Sequence, residues 1–368
     1  MDRLKINFEG YDLYKAGLPN FERNFTRDSI ISAILMKNPE MLRQQLCFCA
    51  EKQGETIDPH TGEEPGKIFH EYPGTSVGRL YKEIKSENYP SLKIYYSTKF
   101  NACDSTALFL IGHDFYRQIT KDNSLSQIYK KNIVRATEYI IHHLDKGLFY
   151  ENPKFAGAKR FALNVTYWKD SSIISREEGQ PAYPVVYTLA HIQNMKAIRS
   201  SSILLKSKEL ENRAIEMKLA LRNLWDDELE TFYLAKDEKG FIQGITSDSL
   251  HSLFYLNEGD LYPHMIKGIL NSSKKLETKL GYRTMDPELS NKMNNGYHSI
   301  TVWPFEQAII NIGAKNFGLD SVVEVSSRIK KYLTTDNEIF VLKEDGGFQR
   351  AGCNPQLWTI ATRKYFNS

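Results

Sequence analysis

The segment Leu125-Ser-Gln-Ile-Tyr-Lys-Lys-Asn-Ile-Val-Arg-Ala-Thr-Glu-Tyr-Ile-Ile-His-His-Leu144 sets the fold class. Ile128, Ile133, Tyr139, Ile140 and Leu144 fall on one apolar stripe at helical spacing, with Lys130, Lys131 and Arg135 outside it. The same reading predicts helices over Asp28–Met36, Asp104–Tyr116, Pro184–Ile198, Lys206–Leu224, Leu261–Leu276, Phe305–Lys315 and Val322–Leu333. Polar stretches with Gly or Pro separate them. Glu55–Gly66, Asn152–Lys159 and Arg283–Gly296 stand out, and long structured loops more often carry function than not. Strand signals are few: Phe232–Lys236 with Gly240–Ile242 as a small hairpin across an Asp-Glu-Lys-Gly turn, and Ile339–Leu342 as an edge piece. Only 22 Gly and 13 Pro in 368 residues agree with a chain rich in regular elements. At about 60 residues per helical hairpin the chain holds about six. The expectation is a single all-α domain over residues 1–368, with small β-hairpins in its loops.

Composition excludes several classes. A net charge of +3 is too small for a nucleic-acid surface, and no apolar run approaches the ~18 residues of a membrane span. Cys47 and Cys49 are one residue apart, which is neither a zinc nor a redox spacing. With no basic–apolar–small signal at the N-terminus, the expected setting is reducing and cytoplasmic. An aromatic share of 12% supplies flat faces for sugar rings, although most aromatics serve the core.

Acids and aromatics gather where helices begin or loops end. Arg27-Asp28-Ser29 opens a helix; Asp28 there is either a cap or half of a carboxylate–guanidinium pair that holds sugar hydroxyls. His70-Glu71 follows a Gly- and Pro-bearing loop, and Asp104 stands at the mouth of an apolar helix. Trp168-Lys169-Asp170-Ser171 sets a carboxyl beside an indole, which raises its pKa, and a lysine, which lowers it. A general acid needs the raised state; the structural alternative is a capping Asp with Ser171. In Tyr297-His298-Ser-Ile-Thr-Val-Trp303-Pro304-Phe-Glu306-Gln307, His298 and Trp303 offer a wall and Glu306 opens a helix. Asn337-Glu338-Ile-Phe340 reads as a short extended stretch that holds Glu338 rigidly, ahead of Gly352-Cys-Asn-Pro-Gln356-Leu-Trp358. Recurrence of such ends along the chain fits loops at one end of a helical ring lining one pit.

These motifs, with Ala16-Gly-Leu-Pro19, Gly66-Lys-Ile-Phe-His-Glu71, Leu224-Trp-Asp-Asp-Glu-Leu229 and Gly281-Tyr-Arg-Thr284, resemble in order the amylo-α-1,6-glucosidase part of glycogen debranching enzymes and related toroid glucosidases. The match runs from about residue 16 to residue 361. The resemblance implies an (α/α)6 toroid of about twelve helices, with the site where the inner helices begin, and an inverting mechanism. It implies Asp170 as general acid, Glu338 as general base with Glu306 in reserve, and Arg27 and Asp28 as holders of the terminal glucose. His70, Glu71, Asp104, Trp168, Lys169, His191, Gln193, His298, Trp303 and Glu306 complete the expected substrate-binding set. The chain departs from the pattern in having no transferase domain, His191-Ile192-Gln193 for Glu-Val-Gln, Asn337 for Pro, and Ser299-Ile300 for Asn-Gly.

The leading expectation is a glucosidase acting on an α-glucoside or short oligosaccharide. Neither metal nor other cofactor is called for, since His60, His70, His113 and His142-His143 lack a convincing spacing with acids. Two alternatives stay open: a sugar epimerase using His70, His191, His251 or His298, and a non-catalytic carbohydrate-binding relative.

Overall fold

The computed structural model describes residues 1–80, 93–170, 181–292 and 296–368. Thirteen α-helices occur among the described residues: α1 (Thr26–Leu35), α2 (Pro39–Glu51), α3 (Ser105–Thr120), α4 (Ser124–Ile128), α5 (Lys130–His142), α6 (Thr188–Leu205), α7 (Lys208–Leu221), α8 (Asp248–Ser252), α9 (Pro263–Ser272), α10 (Pro287–Lys292), α11 (Pro304–Asn316), α12 (Asp320–Ser327) and α13 (Leu357–Asn367). Short antiparallel sheets of two or three strands sit between them.

Burial separates the helices into two sorts. All ten residues of α1 are buried, as are ten of the thirteen in α11. Such helices face protein on every side. By contrast α7 buries only Leu210, Ala214, Met217, Ala220 and Leu221, one stripe of an outer helix. Packing follows the same division. α1 touches α3, α3 touches α6, α6 touches α8, α8 touches α11, α11 touches α13, and α13 returns to α1. The contacts form a closed circuit. Helices α2, α5, α7 and α12 pack on its outside, and one continuous apolar core runs from Leu4 to Ala361.

The predicted helices are present with shifted ends. Leu125–Leu144 is not continuous: it breaks at Tyr129 into α4 and α5, leaving Ile128 71% exposed and off the stripe that buries Ile133, Tyr139 and Ile140. Pro184–Ile198 starts later, because Val186–Tyr187 is a strand paired with Ala235–Lys236. Lys206–Leu224, Leu261–Leu276 and Val322–Leu333 each end in a turn of 3₁₀ helix. Four helices were not anticipated: α2, α8, α10 and α13. The first had a readable start, since Asn38 accepts from the Met41 N–H at 3.1 Å and Pro39 occupies the first helical position. The small hairpin forms as Ala235–Asp237 against Gly240–Ile242. Ile339–Leu342 is the central strand of a sheet between Thr301–Val302 and Phe348–Ala351. No described helix is long and apolar enough to cross a membrane.

The circuit depends on close approach at Gly313, in α11. A Cβ there would lie 2.6 Å from the Phe254 backbone nitrogen and 2.8 Å from the Leu253 carbonyl carbon, just past α8. Gly313→Ala should therefore destabilise by about 1–3 kcal/mol through overpacking. Gly259→Ala, with nothing within 4 Å, should leave the melting temperature almost unchanged. Thermal melts of the two variants side by side check this; equal, small shifts would mean that the α8–α11 junction yields freely.

Candidate active site

The N-terminal ends of α1, α11 and α13 converge on one pit. Ala16, Phe21, Phe25, Arg27, Asp28, His70, Trp168, Asp170, Tyr297, His298, Trp303, Glu338, Gln356 and Trp358 line it, around about 430 Å³ of empty space partly open to solvent. Helix N-termini carry partial positive charge, which favours carboxylates gathered there.

Arg27 and Asp28 lie in the first turn of α1, and neither caps it: the N-cap residue is Phe25, which makes no side-chain cap bond. Arg27 instead donates from Nε to Asp104 Oδ2 at 2.8 Å and from Nη2 to Oδ1 at 3.0 Å, both partners buried. Asp104 precedes α3 and also makes no cap bond. It does not line the pit; it holds Arg27 from behind. Burial opposes the guanidinium charge, but Asp104 more than offsets this and holds Arg27 above its ordinary pKa.

Three carboxyls face the pit with Arg27. Burial drives Asp170 up to about 6 against the pull of Arg27. Burial likewise lifts Asp28 to about 8, with Arg27 pulling down and Glu338 and Asp170 pushing up. Glu338 is raised by burial too, while hydrogen bonds hold it back. Its Oε1 accepts from the Tyr297 hydroxyl and, at 3.4 Å, from Gln356 Nε2; its Oε2 accepts from the Cys353 N–H at 2.8 Å. As the sequence suggests, Glu338 directly precedes an extended strand, Ile339–Leu342. Gly352 packs directly against Glu338, with φ of +74°, and a Cβ there would lie only 2.3 Å from Glu338 Oε2.

Aromatic rings close the sides. Trp303 stacks on His298 at 5.0 Å and meets Trp168 and Trp358 edge-on at 5.9 and 5.6 Å. His70 meets Phe25 edge-on at 5.2 Å. Burial, with nearby cations, lowers both His70 and His298 well below the usual histidine range.

Of the expected set, Arg27, Asp28, His70, Trp168, Asp170, His298, Trp303 and Glu338 meet in the pit. The remainder lie elsewhere. Glu71 is bound by Arg23 Nε at 2.9 Å, the Thr75 N–H at 3.1 Å and the Thr98 hydroxyl, a latch under the 71–75 turn. His191 is a core residue of α6: Nε2 bonds the Met217 carbonyl at 3.1 Å and Nδ1 accepts from the Phe149 N–H at 3.3 Å. Its pKa falls to about 4 through burial, so it stays neutral. Gln193 donates to the Tyr255 hydroxyl at 3.2 Å. Lys169 is buried against Asp248 at 2.7 Å and Ser247 at 3.1 Å. Glu306, the reserve base, is fully buried in α11, accepting from Ser247 Oγ at 2.6 Å, and does not reach the pit. Ser171 lies outside the described residues.

The sequence reading passed over Tyr297, Gln356, Trp358 and Asp248. The first three stand inside motifs it quoted, but pairing Tyr297 and Gln356 with Glu338 needs the sheet that joins residues 301–302 to 339–342. Asp248, His251 and Glu306 also bring ligand atoms within 4.8 Å of one another, a grouping no sequence spacing suggested. Lys169 already supplies positive charge to that cluster.

No family model and no curated protein matches the chain. Among solved structures it is similar to a GH63 mannosylglycerate hydrolase from Thermus thermophilus, in complex with Tris and D-glycerate. The TM-score is 0.68 at 13% identity, covering 98% of this chain and 97% of that one. An uncharacterized conserved protein from the same organism gives 0.69 at 13%, covering 97% and 96%. A GH78 rhamnosidase from Bacillus sp. GL1 gives 0.58 at 12%, covering 94% of this chain and 31% of that chain. At this identity the likeness is one of fold, and the fold is one that glycoside hydrolases use.

The raised carboxyls bear on stability. The native state keeps protons that the unfolded chain releases near pH 4, so stability falls as pH rises through about 6 for Asp170 and about 8 for Asp28. Asp28→Asn should remove the upper part of that loss, stabilising the protein by about 1–3 kcal/mol more at pH 8 than at pH 5. Melting curves at both pH values measure it. A gain independent of pH would mean that Asp28 is already ionised at pH 5.

Proposed function

We propose that this protein is an inverting glycoside hydrolase that removes the terminal sugar of a small α-glucoside, using one (α/α)6 domain over residues 1–368. The observation that carries the reading is the gathering of Asp170 and Glu338 in the lining of one pit together with Arg27 and Asp28. The closed circuit of helices supports the toroid part of this reading.

Inversion needs a protonated carboxyl at the leaving oxygen and an ionised one that activates water on the opposite face. Asp170, its pKa raised to about 6, is suited to the first task. Glu338 is assigned the second: burial raises it, and the donors Tyr297, Gln356 and the Cys353 N–H counter that rise by favouring its charged form. Arg27 and Asp28 take the hydroxyls of the terminal ring, and Trp168, Trp303 and Trp358 give it apolar faces. The glucose preference rests on the resemblance to amylo-α-1,6-glucosidase. The similar mannosylglycerate hydrolase is named for a glycoside with a small aglycone, which supports a small substrate here. Under the epimerase reading, His70 and His298 would have to carry the chemistry, since His191 and His251 do not line the pit.

Asp170→Asn should cut kcat/KM on alkyl glucosides by about 10²–10⁴-fold and largely spare glucosyl fluoride, whose leaving group needs little protonation. Glu338→Gln should abolish both. Wild-type kcat/KM on alkyl glucosides should decline as pH rises through about 6, as Asp170 loses its proton. Proton NMR of the first product should show the β-anomer from an α-glucoside. The α-anomer would replace inversion with a covalent intermediate, and interconversion of free sugars without hydrolysis would establish the epimerase.

A further inference from the structure

We propose that Asp248 is a positioning residue for Asp170, acting through the three residues that precede it; the proposal rests on Asp170 being the general acid. Residues 161–170 contain neither helix nor strand, so no backbone ladder fixes where Asp170 stands. The segment is pinned at Thr166, whose carbonyl accepts from the Cys103 N–H at 3.0 Å. Beyond that point a single carboxylate collects consecutive side chains. Asp248 Oδ2 accepts from the Tyr167 hydroxyl at 3.1 Å, and Oδ1 accepts from Trp168 Nε1 at 2.9 Å and Lys169 Nζ at 2.7 Å.

The arrangement is rigid on both sides. Asp248 opens α8, a member of the closed circuit, and does not line the pit. The Lys169 ammonium is fully buried, so it needs its counter-charge and cannot swing out to water. Ser247, next to Asp248, accepts from Lys169 Nζ at 3.1 Å and donates to Glu306 Oε1 at 2.6 Å. Glu306 lies in the first turn of α11, whose N-cap is Trp303, and Trp303 meets Trp168 edge-on. Glu306 is thus part of the support under the acid rather than a substitute for the base. One carboxylate fixes both the Trp168 wall and the start of the Asp170 backbone. A shift of about 1 Å in such a group costs around 10²-fold in rate.

The test compares an alkyl α-glucoside with α-glucosyl fluoride in wild type, Asp170→Asn and Asp248→Asn. Asp248→Asn places an amide N–H against a donor and should loosen the segment. The expected result is a kcat loss of about 10–100-fold on the alkyl glucoside, KM within about threefold, and only a small loss on the fluoride. The high-pH limb of the alkyl-glucoside profile should move as well. Should the single variant not fold, Lys169→Met with Asp248→Leu removes the charge pair without stranding either ion and answers the same question. Equal losses on both substrates, with an unmoved pH limb, would mean that Asp248 only stabilises the fold and would overturn the proposal. If Asp170→Asn itself shows no dependence on leaving group, the general-acid reading falls and this inference falls with it. That outcome is distinguishable because it appears in the Asp170 variant.

Discussion

The buried fork between Arg27 and Asp104 is the contact on which the site depends. It joins the start of α1 to the start of α3 by two parallel hydrogen bonds in a place nearly closed to water. A guanidinium there would be untenable alone, and a carboxylate equally so; together they lock two inner helices in one register. The pairing also sets the electrostatics of the pit. Asp104 absorbs much of the positive charge of Arg27, so Asp28 and Asp170 receive only part of it, and burial wins at both.

The same device recurs around the ring. Lys67, in the loop before His70, is fully buried between Glu64 at 3.2 Å and Glu151 at 3.8 Å, and His143 Nε2 meets Glu64 at 2.7 Å. Lys169 is treated likewise by Asp248. Lys169 ties an irregular stretch next to the pit to α8, whereas Lys67 joins two loops, at Glu64 and Glu151, with His143 at the end of α5 bonded to the same Glu64. Such cross-links add little net stability, since desolvation offsets most of the attraction, but they penalise any arrangement that breaks them.

How far the sequence carried this picture depends on the range of the interaction. Helical periodicity is local, so α1, α3 and α11 were legible to within a few residues, while α6 runs seven residues past the expected end at Ile198. α8, of five residues, and α10, of six, are too short to show a period. The break at Tyr129 left no local signal, because the stripe reads acceptably on both sides of it. Of the eight expected site residues that met in the pit, Arg27, Asp28 and Trp303 lie at helix starts and His70 and Glu338 directly before strands, whereas Trp168 and Asp170 reach it from the irregular stretch 161–170. His191 and Gln193 failed for a geometric reason: they lie in the body of α6, where side chains meet packed neighbours. Glu306 failed by direction, its carboxyl reaching Ser247 instead of the pit. The tie from Asp248 to residues 167–169 spans about eighty positions, and no local pattern announces it.

Closure of the helical circuit has a consequence for how the protein comes into being. α13 completes the ring by packing on α1, more than three hundred residues away in sequence, and Gln356 and Trp358 belong to the same pit as Ala16 and Arg27. A nascent chain therefore has no complete pit until α13 has left the ribosome, on the order of tens of seconds after α1 at ~5–20 residues per second. Through that interval the ring stands open, and the apolar faces of α1 and α11 that α13 will cover have no native partner. Contacts of such long sequence separation are slow to form. The exposure to aggregation or chaperone capture thus lasts from the synthesis of α1 until α13 is available to pack on it.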